Sequence, residues 1–383
     1  MPARGAPGDA QGAPAPALDV VIVSLGSTAG LRRADAELRD ALERAGARAA
    51  IAPAQPPAPR RTLMLTDLAW ALAARAAATR ALAHTGRGAR QPAIVYSSTT
   101  AALLWPRPGA IRFDATAAGN RPGRHGLWQR PLERHRLAQA PLLLPWSVGG
   151  LREAPAAARR GDRALVLPVP VELSAPPREL GQHIPATPPA GTSSTLGTDS
   201  QRDIAAITYA ANPAKKGLDR VLAAWRGVRD ELPVEGPREL VVAGATDTEL
   251  RAARADLRAL PGVRSVGPLS QTAYRALLRR ARVFVCAPRR EDYGIAQLEA
   301  LADGCLLVTT PAPGPYVALG IARALDARLV SEDLARALRA ALLHPVPDYA
   351  AHALQAIAPF RRAASDRIVA EELLARLLVA AAH

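Results

Sequence analysis

The chain is nearly without lysine. Of its 49 lysines and arginines, only Lys215 and Lys216 are lysines. In a chain so biased, one adjacent lysine pair marks a demand that guanidinium does not meet. An ammonium is a compact point charge that reaches a single phosphate oxygen without needing a planar fork. Cysteine is as scarce. Cys286 and Cys305 are the only two, which excludes a disulfide framework and a cysteine zinc site. Both lie on strand-like stretches, where buried reduced thiols are expected. The seven histidines show no HExxH or paired metal spacing, and no two aspartates stand two apart. The lack of these motifs favours chemistry that needs no metal and no cofactor.

Long apolar runs are missing too. A membrane span needs roughly 18 uninterrupted apolar residues. The best candidate, Leu63 to Ala83, is broken by Asp67, Arg75 and Arg80. Residues 1–17 lack the apolar run of a signal peptide and read as a disordered tail, so a cytoplasmic protein is expected. Abundant Ala, Arg and Pro with few Lys, Phe and Met resemble a GC-rich bacterial coding bias. The net charge of +15 is partly that bias and partly a preference for anionic partners. Nucleotide diphosphates and anionic lipid surfaces both satisfy it. Nucleic acid does as well, but no nucleic-acid motif accompanies the charge, so none is expected as a partner.

What is present is an alternation of strands and helices. DVVIVSL, from Asp19, reads as a buried strand, followed by a glycine-flanked loop, Gly26 to Gly30, and an apolar helical pattern from Ala34 to Ala45. Strands recur at Ala49–Ala52, Ala93–Tyr96, Ala110–Phe113, Leu142–Leu144 and Ala164–Pro168. A second series runs through Ala205–Tyr209, Glu239–Ala243, Val263–Val266, Val283–Cys286 and Leu306–Thr309, with Ala327–Val330 a further candidate. This order predicts an α/β chain of two Rossmann-like parallel-sheet domains facing a cleft. The expected divisions are a first domain over 18–172, a Pro/Ser/Thr/Gly-rich linker or mobile insertion over 173–203, and a second domain over 204–350. Residues 351–383 are read as C-terminal helices returning to the first domain.

The most specific stretch is VFVCAPRREDYGIAQLEALADG, Val283 to Gly304. A β-branched run, a polar turn and Tyr293-Gly294 lead into a helical pattern at Ile295, Leu298 and Leu301. Gly294 lets a ligand approach the backbone, and the amides after it face out of a helix N-terminus where anions bind. Glu291 and Glu299, eight positions apart, flank that start. Such an arrangement suits a ligand with hydroxyls at both ends and phosphates between, as in a nucleotide-sugar. Upstream, Ile207-Thr208-Tyr209 reads as a strand, AANPAKKG as a loop, and Leu218 to Leu222 as a helix opening.

These segments resemble the retaining GT-B glycosyltransferases of family 4. Glu291 and Glu299 match the E-x7-E motif, LEALADGCLLVTT resembles the family's "LEAMACGxPVVAT", and the lysine loop resembles "GRLxxxKGLDxLLxAW". The resemblance implies a donor in the second domain and an acceptor in the first. Glu291 then contacts the donor sugar and Glu299 the ribose. Lys216 and the backbone at Gly294 and Ile295 hold the diphosphate, with Asn212 and Gly26 near the donor. The family's loop arginine falls on Ala211, leaving Arg289 or Arg290 as replacements from the neighbouring turn. A first-domain histidine of the family falls on Phe113, leaving Asp114 as the polar candidate, with His125 in GNRPGRHG as another source of imidazole. The implied activity is retaining, metal-independent transfer from a nucleotide diphosphate-sugar, the co-substrate, to a glycan or lipid-linked acceptor. The basic stretch Arg121, Arg124, Arg130, Arg134 and Arg136, around Trp128 and opposed by Glu133, is a candidate contact for a membrane surface. The missing arginine and histidine leave one alternative, a catalytically inactive GT-B-like binding or scaffold protein.

Overall fold

The structure, a computed structural model, describes residues 18–58, 60–83, 90–173, 202–253, 255, 257 and 260–381. The N-terminal tail and most of the 173–203 linker read from the sequence lie outside the described residues. Two five-stranded sheets, parallel throughout, form the frame. The first has strands β1 (Val20–Ser24), β2 (Ala49–Pro53), β3 (Ala93–Tyr96), β4 (Ala110–Phe113) and β5 (Leu143–Pro145), in the order β2-β1-β3-β4-β5. The second has β6 (Ile204–Tyr209), β7 (Leu240–Ala243), β8 (Val263–Gly267), β9 (Ala281–Cys286) and β10 (Leu306–Thr309), ordered β10-β9-β6-β7-β8. Five of the ten strands, β1, β3, β4, β5 and β7, are buried along their whole length, which is why they read as continuous apolar runs rather than alternations.

Two expected strands are not strands. Ala164 bridges Leu143, and the amides of Leu165 and Leu167 donate to the Leu143 and Pro145 carbonyls at 2.9 Å, so the segment lies along β5 without becoming a regular strand. Ala327–Leu329 is a 3-10 turn, with a single bridge from Val330 to Thr309. Asp326 caps that turn through the Arg328 amide and also pairs with the Arg328 guanidinium at 2.8 Å.

Connectivity folds back at the end. Val171 and Arg361 run alongside each other, with the Val171 amide donating to the Phe360 carbonyl at 2.7 Å. The chain then continues through Arg362–Ile368, a π-helical turn at Val369–Leu373, and Leu374–Ala380. Val369, Leu373 and Leu377 bury against Val20, Ile22, Leu38 and Leu42 of the first lobe. Arg44 pairs with Asp366 at 2.7 Å beside them. Where the lobes meet, the Trp146 and Tyr293 rings pack edge-on at 5.4 Å. The Arg112 guanidinium covers the other side of Trp146 at 5.1 Å. Tyr293 donates its hydroxyl to the Val169 carbonyl at 3.2 Å.

Candidate active site

Strand order reverses between β1 and β3 in one lobe and between β6 and β9 in the other. Open α/β sheets bind ligands beyond the carboxyl ends of strands at such switch points. The loops leaving β6 and β9 are the lysine loop and the Glu291 turn, so the two motifs meet because of topology and not because of sequence distance.

The lysine loop is built to a fixed shape. Asn212 has left-handed backbone (φ 60°) and caps the short helix Pro213–Lys216, its side chain accepting from the Lys215 amide at 3.1 Å. Gly217 follows at φ 67°, and a Cβ added there would collide with the Ala287 carbonyl at the end of β9. The Arg289 amide closes onto the Lys215 carbonyl at 3.0 Å. Both ammonium groups are thereby turned toward the next loop. Lys216 Nζ lies 2.7 Å from Glu291 Oε2, and Lys215 Nζ 3.3 Å from Asp292 Oδ2. Gln297 also donates to Glu291, at 3.1 Å.

Gly294 (φ 95°) starts the helix Ile295–Ala302 with no side chain capping it. The first amides of that helix therefore have no side-chain cap, and the helix dipole favours an anion there. Gly30 of the first lobe sits over this point, 3.7 Å from Ile295 Cδ1 when a Cβ is built on it. Gly26 (φ 57°) opens the same loop, and Arg32 Nη1 donates to its carbonyl at 2.7 Å. Glu299, one turn into the helix, is buried. It accepts from Gln271 at 2.6 Å and is ion-paired with Arg33 of the first lobe. Beside it a cavity of about 590 Å³ opens between the lobes, its walls including Arg33, Gln271, Thr272 and Arg275.

The two arginines read as replacements for the residue missing at Ala211 are engaged elsewhere. Arg289 donates to the Ala214 carbonyl and pairs with Asp219 at 2.9 Å, tying the lysine loop to its own helix. Arg290 spans the cleft: it pairs with Asp292 at 2.8 Å and with Glu153 of the first lobe at 2.7 Å, and donates to Asn120 at 3.2 Å. Lys215, read from the sequence as half of the lysine pair but given no role of its own, and Arg33, which the sequence did not single out, are the additional cations of this crevice. Arg33 lies five residues into the helix Ala29–Arg44, and no local pattern says that this helix faces Glu299.

Asp114 leaves the end of β4 and accepts from its neighbour's amide, Ala115, at 2.8 Å. Burial, reinforced by the negative charge of Asp292, raises its carboxyl to about 6. His125 is exposed in the 3-10 turn Gly123–Gly126 and takes no part in the contacts that join the lobes. Glu133 does not oppose the basic stretch at the surface. It is buried, accepting from the Ala117 amide at 2.8 Å, and burial lifts its carboxyl to about 7.

Paired parallel sheets with a cleft between their carboxyl edges make up a GT-B fold, here with an uncapped helix start flanked by carboxylates. Residues 202–344, within the second lobe, match the family model described as Glycosyl transferases group 1. Solved structures match over nearly the whole chain. WaaG, a glycosyltransferase involved in lipopolysaccharide biosynthesis, is 16% identical with a TM-score of 0.57, covering 94% of this chain and 98% of its own. Anabaena Alr3699/HepE in complex with UDP-glucose is 12% identical, with a TM-score of 0.63 and coverage of 93% and 99%. Sucrose-phosphate synthase from Thermosynechococcus elongatus is 16% identical, with a TM-score of 0.60 and coverage of 94% and 99%. At such identities the likeness establishes the fold. No curated protein matches the sequence.

Proposed function

We propose that the chain is a retaining, metal-independent glycosyltransferase that takes a sugar from a nucleotide diphosphate donor bound on the second lobe. The observation that carries this is the Lys216–Glu291 pair at 2.7 Å, beside an uncapped helix start and one turn from the buried Glu299. Each of these charged side chains is held by a protein partner. A diphosphate entering at Gly294 and Ile295 competes for Lys216, and Glu291 is released toward the sugar hydroxyls. Glu299, freed from Arg33, turns to the ribose, with the cavity beside it receiving the base. Charge builds on the departing nucleotide diphosphate as the glycosidic bond breaks. An ammonium and fixed helix amides stabilise that charge without reorganising, and preorganised stabilisation of this kind usually lowers a barrier more than any other single effect. Lys215 supplies the second cation that Ala211 does not. Asp114, at the carboxyl edge of the first sheet, faces the acceptor side, with His125 as an outlying acceptor contact. No covalent intermediate is assigned.

That HepE was solved in complex with UDP-glucose supports a uridine diphosphate donor as the first to test. Calorimetry with UDP and GDP reads binding directly. Binding by the intact protein that is lost in Glu299→Ala and Lys216→Ala supports the proposal. A protein that binds a nucleotide diphosphate yet transfers and hydrolyses no donor sugar is the inactive scaffold instead.

A further inference from the structure

The helix Leu63–Ala83 is packed inside out. Its buried residues are the small ones, Ala71, Ala74, Ala77 and Ala78, together with Asp67. The leucines of its first half face water, with Leu63, Leu65, Leu68 and Leu72 between 36% and 52% exposed, whereas Trp70 and Leu82 pack against the core. Leu65, Leu68 and Leu72 follow the i, i+3, i+7 spacing of one helical stripe, and Arg75 continues it one turn on. The turn Gly123–Gly126 packs against this helix. Arg121, just before the turn, grips Asp67 at 2.6 Å, and Leu127, just after it, is 64% exposed. An exposed run of leucines on one helical stripe, with a further exposed leucine after the turn that packs on the same helix, marks an interaction surface.

The charge around it selects the partner. Between Glu43 and Glu153 the chain has sixteen arginines and three acids, Asp67, Asp114 and Glu133. Asp67 and Glu133 are buried and Asp114 belongs to the cleft, so none offsets the rim. Arg60, Arg61, Arg75, Arg80, Arg124 and Arg134 are all exposed, with Arg60 and Arg61 just before the helix and Arg75 one turn beyond Leu72. A second copy of this chain would bring the same cationic rim against itself. An anionic, apolar surface meets both features, and leucines with an arginine rim are the pattern of a helix lying in a membrane interface.

We infer that the stripe Leu65, Leu68 and Leu72, with Leu127, docks this protein onto a lipid bilayer carrying anionic headgroups. The topology gives the docking a use. The helix begins beyond the carboxyl end of β2 and the Gly123–Gly126 turn lies beyond the carboxyl end of β4, the edge at which Asp114 stands. Docking there brings that edge of the first lobe to the lipid surface. This inference stands on the exposed surface alone and holds whether or not the donor reading does.

The test is co-sedimentation of the full chain with two kinds of vesicle, pure phosphatidylcholine and phosphatidylcholine with about one-third phosphatidylglycerol. Binding to the anionic vesicles, weak binding to the neutral ones and release at high salt are expected. The triple variant L65Q/L68Q/L72Q should lower anionic-vesicle binding roughly tenfold or more, because each buried leucine contributes apolar area. Its circular dichroism and thermal unfolding should stay close to the parent's. If the triple variant does not fold, L127Q with R124E replaces it and should weaken binding in the same direction. Equal binding to both vesicles, no binding to either, or binding untouched by the leucine changes overturns the inference. So does leucine-dependent capture by polyglutamate without any vesicle binding, which makes the surface a protein-docking face.

Discussion

At the scale of single residues, the site rests on Lys216 being an ammonium. Removing it as Lys216→Ala should lower kcat/KM for donor turnover by a factor on the order of 10² to 10³, the loss typical of one preorganised donor to a developing anion. Lys216→Arg should recover little, since a planar fork does not fit where a point charge does. Steady-state kinetics on both variants checks this, with unfolding curves confirming that each is folded. Asp114 gives a pH-dependent prediction. Its carboxyl is raised to about 6 by burial and by Asp292, against about 3.9 in an unfolded chain. Between those values the folded state holds more protons than the unfolded one, so stability falls as pH rises through the window and the penalty persists above it. Asp114→Asn should therefore raise the Tm relative to the parent at pH 7.5, with the difference shrinking toward pH 4. Lys216, Glu291 and Glu299 were legible in the sequence because each sits in a local strand–loop–helix pattern. Arg33 was not, since only the approach of the other lobe gives it Glu299 as a partner.

Among elements, the lysine loop and the turn after β9 form one unit. The capping Asn212, the left-handed Gly217 and the Arg289 amide hold the loop against the end of β9. Gly217→Ala should destabilise the fold by at least about 1–3 kcal/mol from the left-handed backbone alone. The collision with the Ala287 carbonyl adds to this. Chemical denaturation measures the loss, and donor affinity should fall with it because Lys216 moves. The inner strands were readable from their apolar runs, since they are buried on both faces, whereas the edge strands β2 and β8 are partly exposed. The stretches around Ala164 and Ala327 carry the same residue types but form only isolated bridges, to Leu143 and from Val330 to Thr309, and the extent of pairing is not written in a strand's own composition. Leu63–Ala83 was read from the sequence only as an apolar stretch too broken by charge to span a bilayer; it is a helix, and among the described residues no helix is long and apolar enough to span one. Which of its faces is buried was not legible, because alanine and leucine alternate around it and only contact with the sheet decides.

Over the whole molecule, the two lobes are held by a small set of polar bridges around the aromatic contact of Trp146 and Tyr293. Arg290, which joins Glu153 and Asn120 to Asp292, is one such bridge and leaves from the turn that also carries Glu291. Arg290→Ala should loosen closure, seen as a larger radius of gyration in small-angle scattering, and raise KM for the donor while the Tm changes little. The central claim is that a nucleotide diphosphate is held between Lys216, the start of the helix Ile295–Ala302 and Glu299. Titration calorimetry of UDP and GDP against the intact chain, Lys216→Ala and Glu299→Ala tests it most directly. The account predicts saturable binding of at least one nucleotide by the intact chain and its loss in both variants. Binding that survives both substitutions unchanged, or an intact chain that binds neither nucleotide, contradicts it.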